Sequence, residues 1–333
     1  MLGVEASDTE RKVVTILKVL SESSEPLGSI HIARELENHG IHLSERAVRY
    51  HLKLTDIRGF TRPLGRDGRA ITPEGREELR VALATDQVGF VIERIELLAY
   101  QTTFDPDRRS GRLPVNTTFF AKEDFKKALT AMKPAFESGL AVSELVMVAG
   151  EGEKAGDVVV PEGKIGFGTV CSAVVSGVLL KAGIPMESRF GGILEVHDRV
   201  PRRFVAIVHY AGSSLDPSEA YIRARMTSAL DAATTGSGRI LANFREIPAP
   251  ARPLVEEIVH KLAMAKVNGV VCMGHASEAL CQIPVGVNKV GLILLGGMNP
   301  IAVAEEAGLE ADSVANSGTV EFERLVSFES LLR

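Results

Sequence analysis

Ser44-Glu-Arg-Ala-Val-Arg-Tyr-His-Leu-Lys-Leu54, followed by Thr61-Arg-Pro-Leu-Gly-Arg-Asp-Gly-Arg-Ala-Ile-Thr-Pro-Glu-Gly75, is the stretch from which the organisation of this chain can be worked outward. At about 100° per residue, Leu52 and Thr55 fall within about 40° of Val48, whereas Arg46, Arg49, Tyr50 and Lys53 fall on the opposite side. One face is core and the other is cationic. Ser44 precedes the run and predicts an N-cap, because its hydroxyl can accept from a free amide of the first turn. Upstream, Ser29 predicts a second cap for a helix through His39, with Ile32, Ala33 and Leu36 buried and Gly40 as its stop. A helix over Glu10 to Leu20, with Val13, Ile16, Leu17 and Leu20 inward, completes a three-helix core.

After Gly59 and Phe60 the pattern changes to two short strands, Thr61–Leu64 and Arg69–Thr72, around Gly65-Arg66-Asp67-Gly68. Between Arg46 and Arg69 seven Lys or Arg stand against Asp56 and Asp67, although residues 1 to 86 hold 13 basic and 14 acidic side chains. The basic excess is therefore local, where it can reach phosphates. A basic helix alone is equally well explained as a solvated face. The sequence of capped helix, turn, basic helix and basic hairpin points to a winged helix-turn-helix that reads double-stranded DNA, through Arg46, Arg49, Tyr50, Lys53, Arg66 and Arg69.

With 333 residues the chain has room for two or three domains, and residues 1–86 and 87–333 are the division expected. No apolar run is long enough to span a bilayer, and the polar, acidic N-terminus does not read as a secretory leader. Three cysteines without a paired spacing argue against a disulfide scaffold and for a reducing, cytoplasmic setting.

The long remainder contains an internal repeat. At an offset of 125, Lys164-Ile-Gly-Phe lies on Lys289-Val-Gly-Leu, Lys181-Ala-Gly-Ile on Glu306-Ala-Gly-Leu, and Leu145-Val-Met-Val on Val270-Val-Cys-Met. With small slips, Ser110-Gly-Arg-Leu-Pro-Val-Asn116 meets Ser237-Gly-Arg-Ile-Leu-Ala-Asn243, and Gly192-Ile-Leu-Glu195 meets Gly318-Thr-Val-Glu321. The common order of these matches predicts a duplicated α/β domain of two lobes, about 88–212 and 213–333, each running strand, helix, strand, loop, strand, helix, strand. Phe125 to Glu137 and Ala173 to Lys181 are the helices of the first. Pro253 to Lys266 and Pro300 to Glu306 are those of the second.

Glycines cluster where strands pass into helices, where free amides can hold an anion. Gly166-Phe-Gly168-Thr-Val-Cys171-Ser172 only partly matches a dinucleotide-binding turn, since its third glycine is Cys171. Gly296-Gly297-Met298-Asn299-Pro300 occupies the equivalent place in the second lobe, and tight turns explain the same glycines. Cys171 with His197 or His209 would be a nucleophile and base, but no motif joins them. No catalytic residues are assigned. Cys272, His275 and Cys281 lack a fourth ligand at a metal-binding spacing, so no metal is expected. Arg112 and Arg239, like Asn116 and Asn243, match between the halves and hold either a shared turn or a shared cleft. Leu97, Leu98 and Tyr100 serve a dimer contact or pack on the first lobe.

The segments ITPEGREEL, GKIGFGTVCSAVVSGVLLKAGIP, RFGGILEV, LDPSEAYI, MTSALDAATTGSGRILANFREIPA and LILLGGMNP together resemble the archaeal nitrogen regulatory repressors called NrpR. The resemblance spans nearly the whole chain and looks like the form with one effector domain. It implies repression of nitrogen-assimilation genes from inverted-repeat operators by a homodimer or higher homo-oligomer. It also implies release by 2-oxoglutarate, with no cofactor. The mechanism expected here is a population shift in which the effector closes the cleft and changes the spacing of two winged helices on a dimer, with no catalysis required. Carried onto this sequence, the effector candidates are Thr169, Cys171, Ser172, Arg189, Gly191, Gly296, Gly297 and Asn299. A two-lobed enzyme acting on a keto acid or nucleotide, or a winged-helix regulator answering another metabolite, are the alternatives.

Overall fold

The structure, a computed structural model, describes residues 2–23, 25–38, 40–86 and 90–332. It separates into two compact units, Met1–Val88 and Gly89–Arg333. The expected boundary after residue 86 abuts residues 87–89, and the expected end of the second helix at His39 likewise lies outside the described residues.

In the first unit α1 (Leu2–Glu22), α2 (Ser29–Asn38) and α3 (Glu45–Ile57) bury Ile16, Leu20, Ile32, Leu36, Val48 and Leu52 in one cluster. Helix α1 is longer than the Glu10–Leu20 span that its apolar residues mark. Ser29 is a correction: it opens α2 instead of capping it, and its hydroxyl donates to Glu45 Oε1 at 3.0 Å, tying α2 to α3. Strands β1 (Thr61–Pro63) and β2 (Arg69–Ile71) pair antiparallel with Thr61 opposite Ile71. Each is one residue shorter than expected, because Leu64 N bonds Gly68 O to close the turn, while the Thr72 hydroxyl accepts from Gly75 N at the start of α4 (Pro73–Asp86). Leu27 pairs through both backbone groups with Arg69 as an isolated bridge at the edge of the wing.

The second unit opens with α5 (Phe90–Gln101). The first repeat follows as β3 (Arg112–Ala121), α6 (Phe125–Glu137), β4 (Leu145–Ala149), the hairpin β5 (Lys154–Ala155) and β6 (Val158–Val159), β7 (Lys164–Val170), α7 (Ala173–Lys181) and β8 (Glu187–His197). Strand β9 (Val200–His209), α8 (Pro217–Arg223) and α9 (Ala229–Thr235) connect it to the second repeat. That repeat is β10 (Gly238–Pro248), α10 (Arg252–Met264), β11 (Val270–Met273), β12 (Lys289–Leu295), α11 (Asn299–Glu306) and β13 (Asp312–Glu321), with β14 (Val326–Ser327) after it. The two repeats share one topology, strand-helix-strand-strand-helix-strand.

Two five-stranded sheets result, ordered β13-β3-β7-β4-β14 and β11-β12-β10-β8-β9. Their strand pairs are antiparallel throughout. The expected cut into lobes 88–212 and 213–333 does not divide these sheets, because the halves exchange their last strands. Strand β13 of the second half pairs with β3, setting Thr319 opposite Pro114. Strand β8 of the first half pairs with β10, setting Gly191 opposite Asn243. The physical reason lies in β3 and β10, each a run of eight successive buried residues. Such a strand must bond along both edges, since an unpaired buried amide or carbonyl is costly. Each half supplies one neighbour for its own central strand, and the other neighbour arrives from its twin.

Helix α7 lies so close to the end of α5 that a Cβ built on Gly177 would sit 2.4 Å from the Cβ of Thr102, the residue that follows α5. Only glycine permits this approach. It places α5, the helix that follows the winged-helix unit in the chain, against the body of the duplicated domain.

Candidate functional site

The candidate DNA-reading face of the first unit follows from the cap and the core. Ser44 Oγ accepts from Ala47 N at 3.3 Å, which fixes the start of α3, and Val48, His51, Leu52 and Thr55 turn inward. Arg46, Arg49, Tyr50 and Lys53 are thereby left exposed, with Tyr50 62% accessible. Arg49 pairs with Glu45 one turn before it and donates to Ser29 Oγ at 3.3 Å, yet its side chain stays 65% exposed. Arg66 is exposed in the wing turn. Arg69 is differently placed: its Nε lies 2.9 Å from Asp56 Oδ2, and Asp56 Oδ1 also accepts from Thr61 Oγ1 at 2.6 Å. Arg69 therefore knits the wing to the end of α3.

In the second unit, residues from both sheets surround a small polar cavity. Asn116 on β3 and Asn243 on β10, equivalent in the two repeats and both buried, face it together. Asn116 Oδ1 accepts from Asn316 N at 3.0 Å, while Asn243 Nδ2 donates to Ser172 Oγ at 2.9 Å and its Oδ1 accepts from the Tyr210 hydroxyl. The starts of α7 and α11 reach the same space through Cys171, Ser172 and Ala173 and through Gly297 and Met298. The matching asparagines hold a shared cleft, not merely a shared turn. The cavity volume is ≈ 20 Å³, enough for about one or two waters.

Two ionisable groups line this cavity, Arg245 buried and Asp216 half-buried. Asp216 accepts from Ser218 N at 2.8 Å and from Asn316 Nδ2 at 2.9 Å. Burial pushes its carboxyl above the usual aspartate range despite the amides of Ser218 and Glu219 that favour the charged form. Arg245 is 1% exposed, and its guanidinium carbon stands 4.9 Å from the centre of the Tyr210 ring. Its Nε and Nη1 have no hydrogen-bond partner among the described residues.

Of the effector candidates read from the sequence, Cys171, Ser172 and Gly297 line the cavity. A Cβ on Gly297 would lie 2.5 Å from Asn116 Nδ2, so the absence of a side chain shapes the space. Thr169 sits behind it, 3.5 Å from Asn116 Nδ2, and Gly191 packs against Tyr210 and Pro217. Gly296 gives room to the Leu241 backbone. Asn299 is a clamp: its Oδ1 accepts from Leu241 N at 2.8 Å, and its Nδ2 donates to Leu241 O at 3.1 Å and Leu140 O at 3.3 Å. Arg189 lies elsewhere, bonded through Nη1 to Glu246 Oε1 at 2.8 Å. Sequence reasoning missed Arg245, Tyr210, Asp216 and Asn316. A signal existed for Arg245, one of the two adjacent charges Arg245-Glu246 in the largely apolar run Ile240–Ile247, but nothing in the chain said which of the two would go unpaired.

The other motifs acquire structural explanations. Gly166 and Gly168 lie within β7, where added Cβ atoms would meet Val160 Cγ2 at 2.7 Å and Met147 Cε at 2.9 Å, so they serve packing. Burial pushes the Cys171 thiol up to about 11, and its Sγ donates to Asn316 Oδ1 at 3.2 Å. That is the reverse of an activated thiolate. His275 Nδ1 stands 2.8 Å from Arg252 Nη1, and among the described residues no group of three His, Cys, Asp or Glu could hold a metal. Leu98 is buried, whereas Leu97 and Tyr100 are exposed on α5. No described helix is long and apolar enough to cross a membrane.

Comparison with known proteins agrees with both units. Residues 14–79 match the winged-helix domain of ribonuclease R, and residues 88–327 match the NrpR regulatory domains NRD1 and 2. A global nitrogen regulator NrpRI from Methanosarcina mazei is 38% identical, across 95% of this chain and 97% of its own length. Two proteins named global nitrogen regulator NrpR are 33% identical over 90% of this chain, from Methanococcus maripaludis, and 32% identical over 96%, from Methanocaldococcus jannaschii. The chain spans only 52% and 55% of the lengths of those two. The crystal structure of a nitrogen repressor-like protein from Methanococcus jannaschii superposes with a TM-score of 0.61 at 27% identity, covering 72% of this chain and 98% of that one. With a winged helix at its N-terminus and a regulatory domain matched along almost all of its remaining length, the chain belongs to the NrpR family of nitrogen regulators, which are repressors and not enzymes.

Proposed function

We propose that the protein represses nitrogen-assimilation genes by binding inverted-repeat operators as a homodimer or higher homo-oligomer, and that 2-oxoglutarate releases it by occupying the cavity of the second unit. The observation that carries this reading is Ile95. It lines the cavity from α5, the first helix after the winged-helix unit, so a ligand there presses on the element that leads to the DNA-reading head. Arg94 Nε donates to Asn316 O, on the cavity wall, and Val91 N to Ser213 O at 3.5 Å, in the loop that leads to α8.

The size of the cavity supports one direction for the motion. A five-carbon dianion needs far more than ≈ 20 Å³, so its entry must part the walls. The motion we infer is therefore one of walls opening around the effector, where the sequence led to the expectation of a cleft closing on it. Differential affinity for the open arrangement supplies the population shift, and a coupling of about 1–3 kcal/mol changes operator affinity by about 5- to 150-fold.

The test is fluorescence anisotropy on labelled duplexes carrying inverted repeats from promoters of nitrogen-assimilation genes. Adding 2-oxoglutarate is expected to weaken binding within that range. Arg49→Ala is expected to weaken DNA binding across sequences while the stabilisation of the protein by 2-oxoglutarate persists. Operator affinity indifferent to 2-oxoglutarate would refute the release mechanism, and Arg49→Ala with intact affinity would refute the assignment of the reading helix.

A further inference from the structure

Arg245 and its neighbour Glu246 are both buried on β10, and the fold treats them in opposite ways. Successive side chains of a strand point to opposite faces. Glu246 accepts from Arg189 Nη1 at 2.8 Å, Gly286 N at 3.1 Å and Lys289 Nζ at 3.3 Å. Arg245, on the face shared with Asn243, has Nε and Nη1 aimed at no acceptor among the described residues, and no carboxylate there lies within ion-pair distance of it. The one acid in the same cavity, Asp216, spends its oxygens on Ser218 N and Asn316 Nδ2. A buried guanidinium left this way is unfavourable unless something else completes it.

We propose that Arg245 is the anchor for a carboxylate, and that the cavity selects a small organic acid whose carboxylate accepts from Nε and Nη1. This rests on the effector reading above and names the group that performs it. The Tyr210 ring holds the guanidinium by a cation–π contact at 4.9 Å, which restrains the donors before a ligand arrives. The remaining lining that faces the ligand is mostly neutral: Asn116, Asn243, Ser172 and the amides at the starts of α7 and α11. A second polar end of the ligand is held there by hydrogen bonds, and Asp216 tunes which end is preferred. An acid carrying an ammonium would use that carboxylate, whereas a keto acid would use the neutral donors.

The experiment uses the full chain, with calorimetric titration and thermal shift against 2-oxoglutarate, glutarate, glutamate and the uncharged analogue glutaramide. At least one acid is expected to bind and stabilise the wild type, and glutaramide is not. Arg245→Met is expected to bind that acid at least about 30-fold more weakly. Its melting temperature without ligand is expected to match or exceed that of the wild type, because an unpaired buried charge has been replaced by an apolar side chain of similar length. Should Arg245→Met show no cooperative melt, Arg245→Lys decides, since it keeps the charge and loses the planar donor geometry; about tenfold weaker binding is expected. The proposal is overturned if none of the acids binds the wild type, if Arg245→Met or Arg245→Lys binds as tightly, or if ligand-free Arg245→Met melts well below the wild type. Acids that bind through Arg245 without freeing DNA leave the anchor standing and end the release mechanism. Release of DNA by 2-oxoglutarate from Arg245→Met, as from the wild type, does the reverse.

Discussion

Replacing Gly177 by alanine tests whether α5 is a wall whose position matters. The added Cβ would lie 2.4 Å from Thr102 Cβ, 2.6 Å from its Oγ1 and 2.8 Å from its Cγ2. Carbon atoms rest at about 3.5–4.0 Å, so the helices must part by about 1 Å. Overpacking of this kind costs about 1–3 kcal/mol. For a unit of this size that corresponds to a melting temperature lower by about 2–12 °C. Rotamer changes do not relieve the contact, because the nearest atom is a Cβ. Ile95 precedes Thr102 by seven residues, close to two helical turns, so it faces the same side and moves with it. The cavity is thereby widened, and Gly177→Ala is expected to bind operator DNA more weakly without effector, as if partly induced. Differential scanning fluorimetry gives the stability and fluorescence anisotropy the DNA affinity. Thr102→Gly in the same chain removes the offending Cβ and is expected to restore both. A Gly177→Ala protein that melts within 1 °C of the wild type, at about the precision of the method, and binds DNA identically would show that α5 does not report on the cavity.

Asn299→Ala removes the acceptor and donor that clamp the Leu241 backbone, leaving buried groups unmade, and is expected to cost about 2–5 kcal/mol in urea unfolding of the second unit. A loss below about 1 kcal/mol would mean that Leu241 finds other partners. Asp56→Ala frees Arg69 and strips the Thr61 hydroxyl of an acceptor, so the winged-helix unit is expected to lose about 1 kcal/mol, read from its own melting transition; an unchanged transition would make the pair incidental. Burial by itself pushes Glu246 upward, but Gly286 N, Lys289 and Arg189 outweigh it and hold its carboxyl below the usual glutamate range. Its folded value thus lies beneath its unfolded value near 4.3, so its contribution is complete above about pH 4.3 and is lost as pH falls through the folded value. Glu246→Gln is expected to flatten that acid limb in a melting-temperature series, and a limb as steep as in the wild type would remove Glu246 as its source.

The local elements needed nothing beyond the chain. Helical spacing and a hydroxyl before Glu45 specify α3 and its cationic face, because both depend on contacts within four residues. Ala173–Lys181 and Phe125–Glu137 are legible for the same reason, and the duplication shows itself because two copies of one pattern keep their order. What remained closed to that reading depends on partners remote in sequence. Alternation along a strand tells which face is buried but not which strand lies alongside, so the exchange of β8 and β13 between halves emerges only when eight buried residues of β3 and β10 require neighbours on both edges. Arg69 and Arg245 make the same point for charge. From sequence they are two arginines, one on a basic hairpin and one in an apolar strand. Tertiary packing brought Asp56 into an ion pair with the first and left two donors of the second unmade inside a buried cavity, where desolvation without a hydrogen-bond partner is unfavourable.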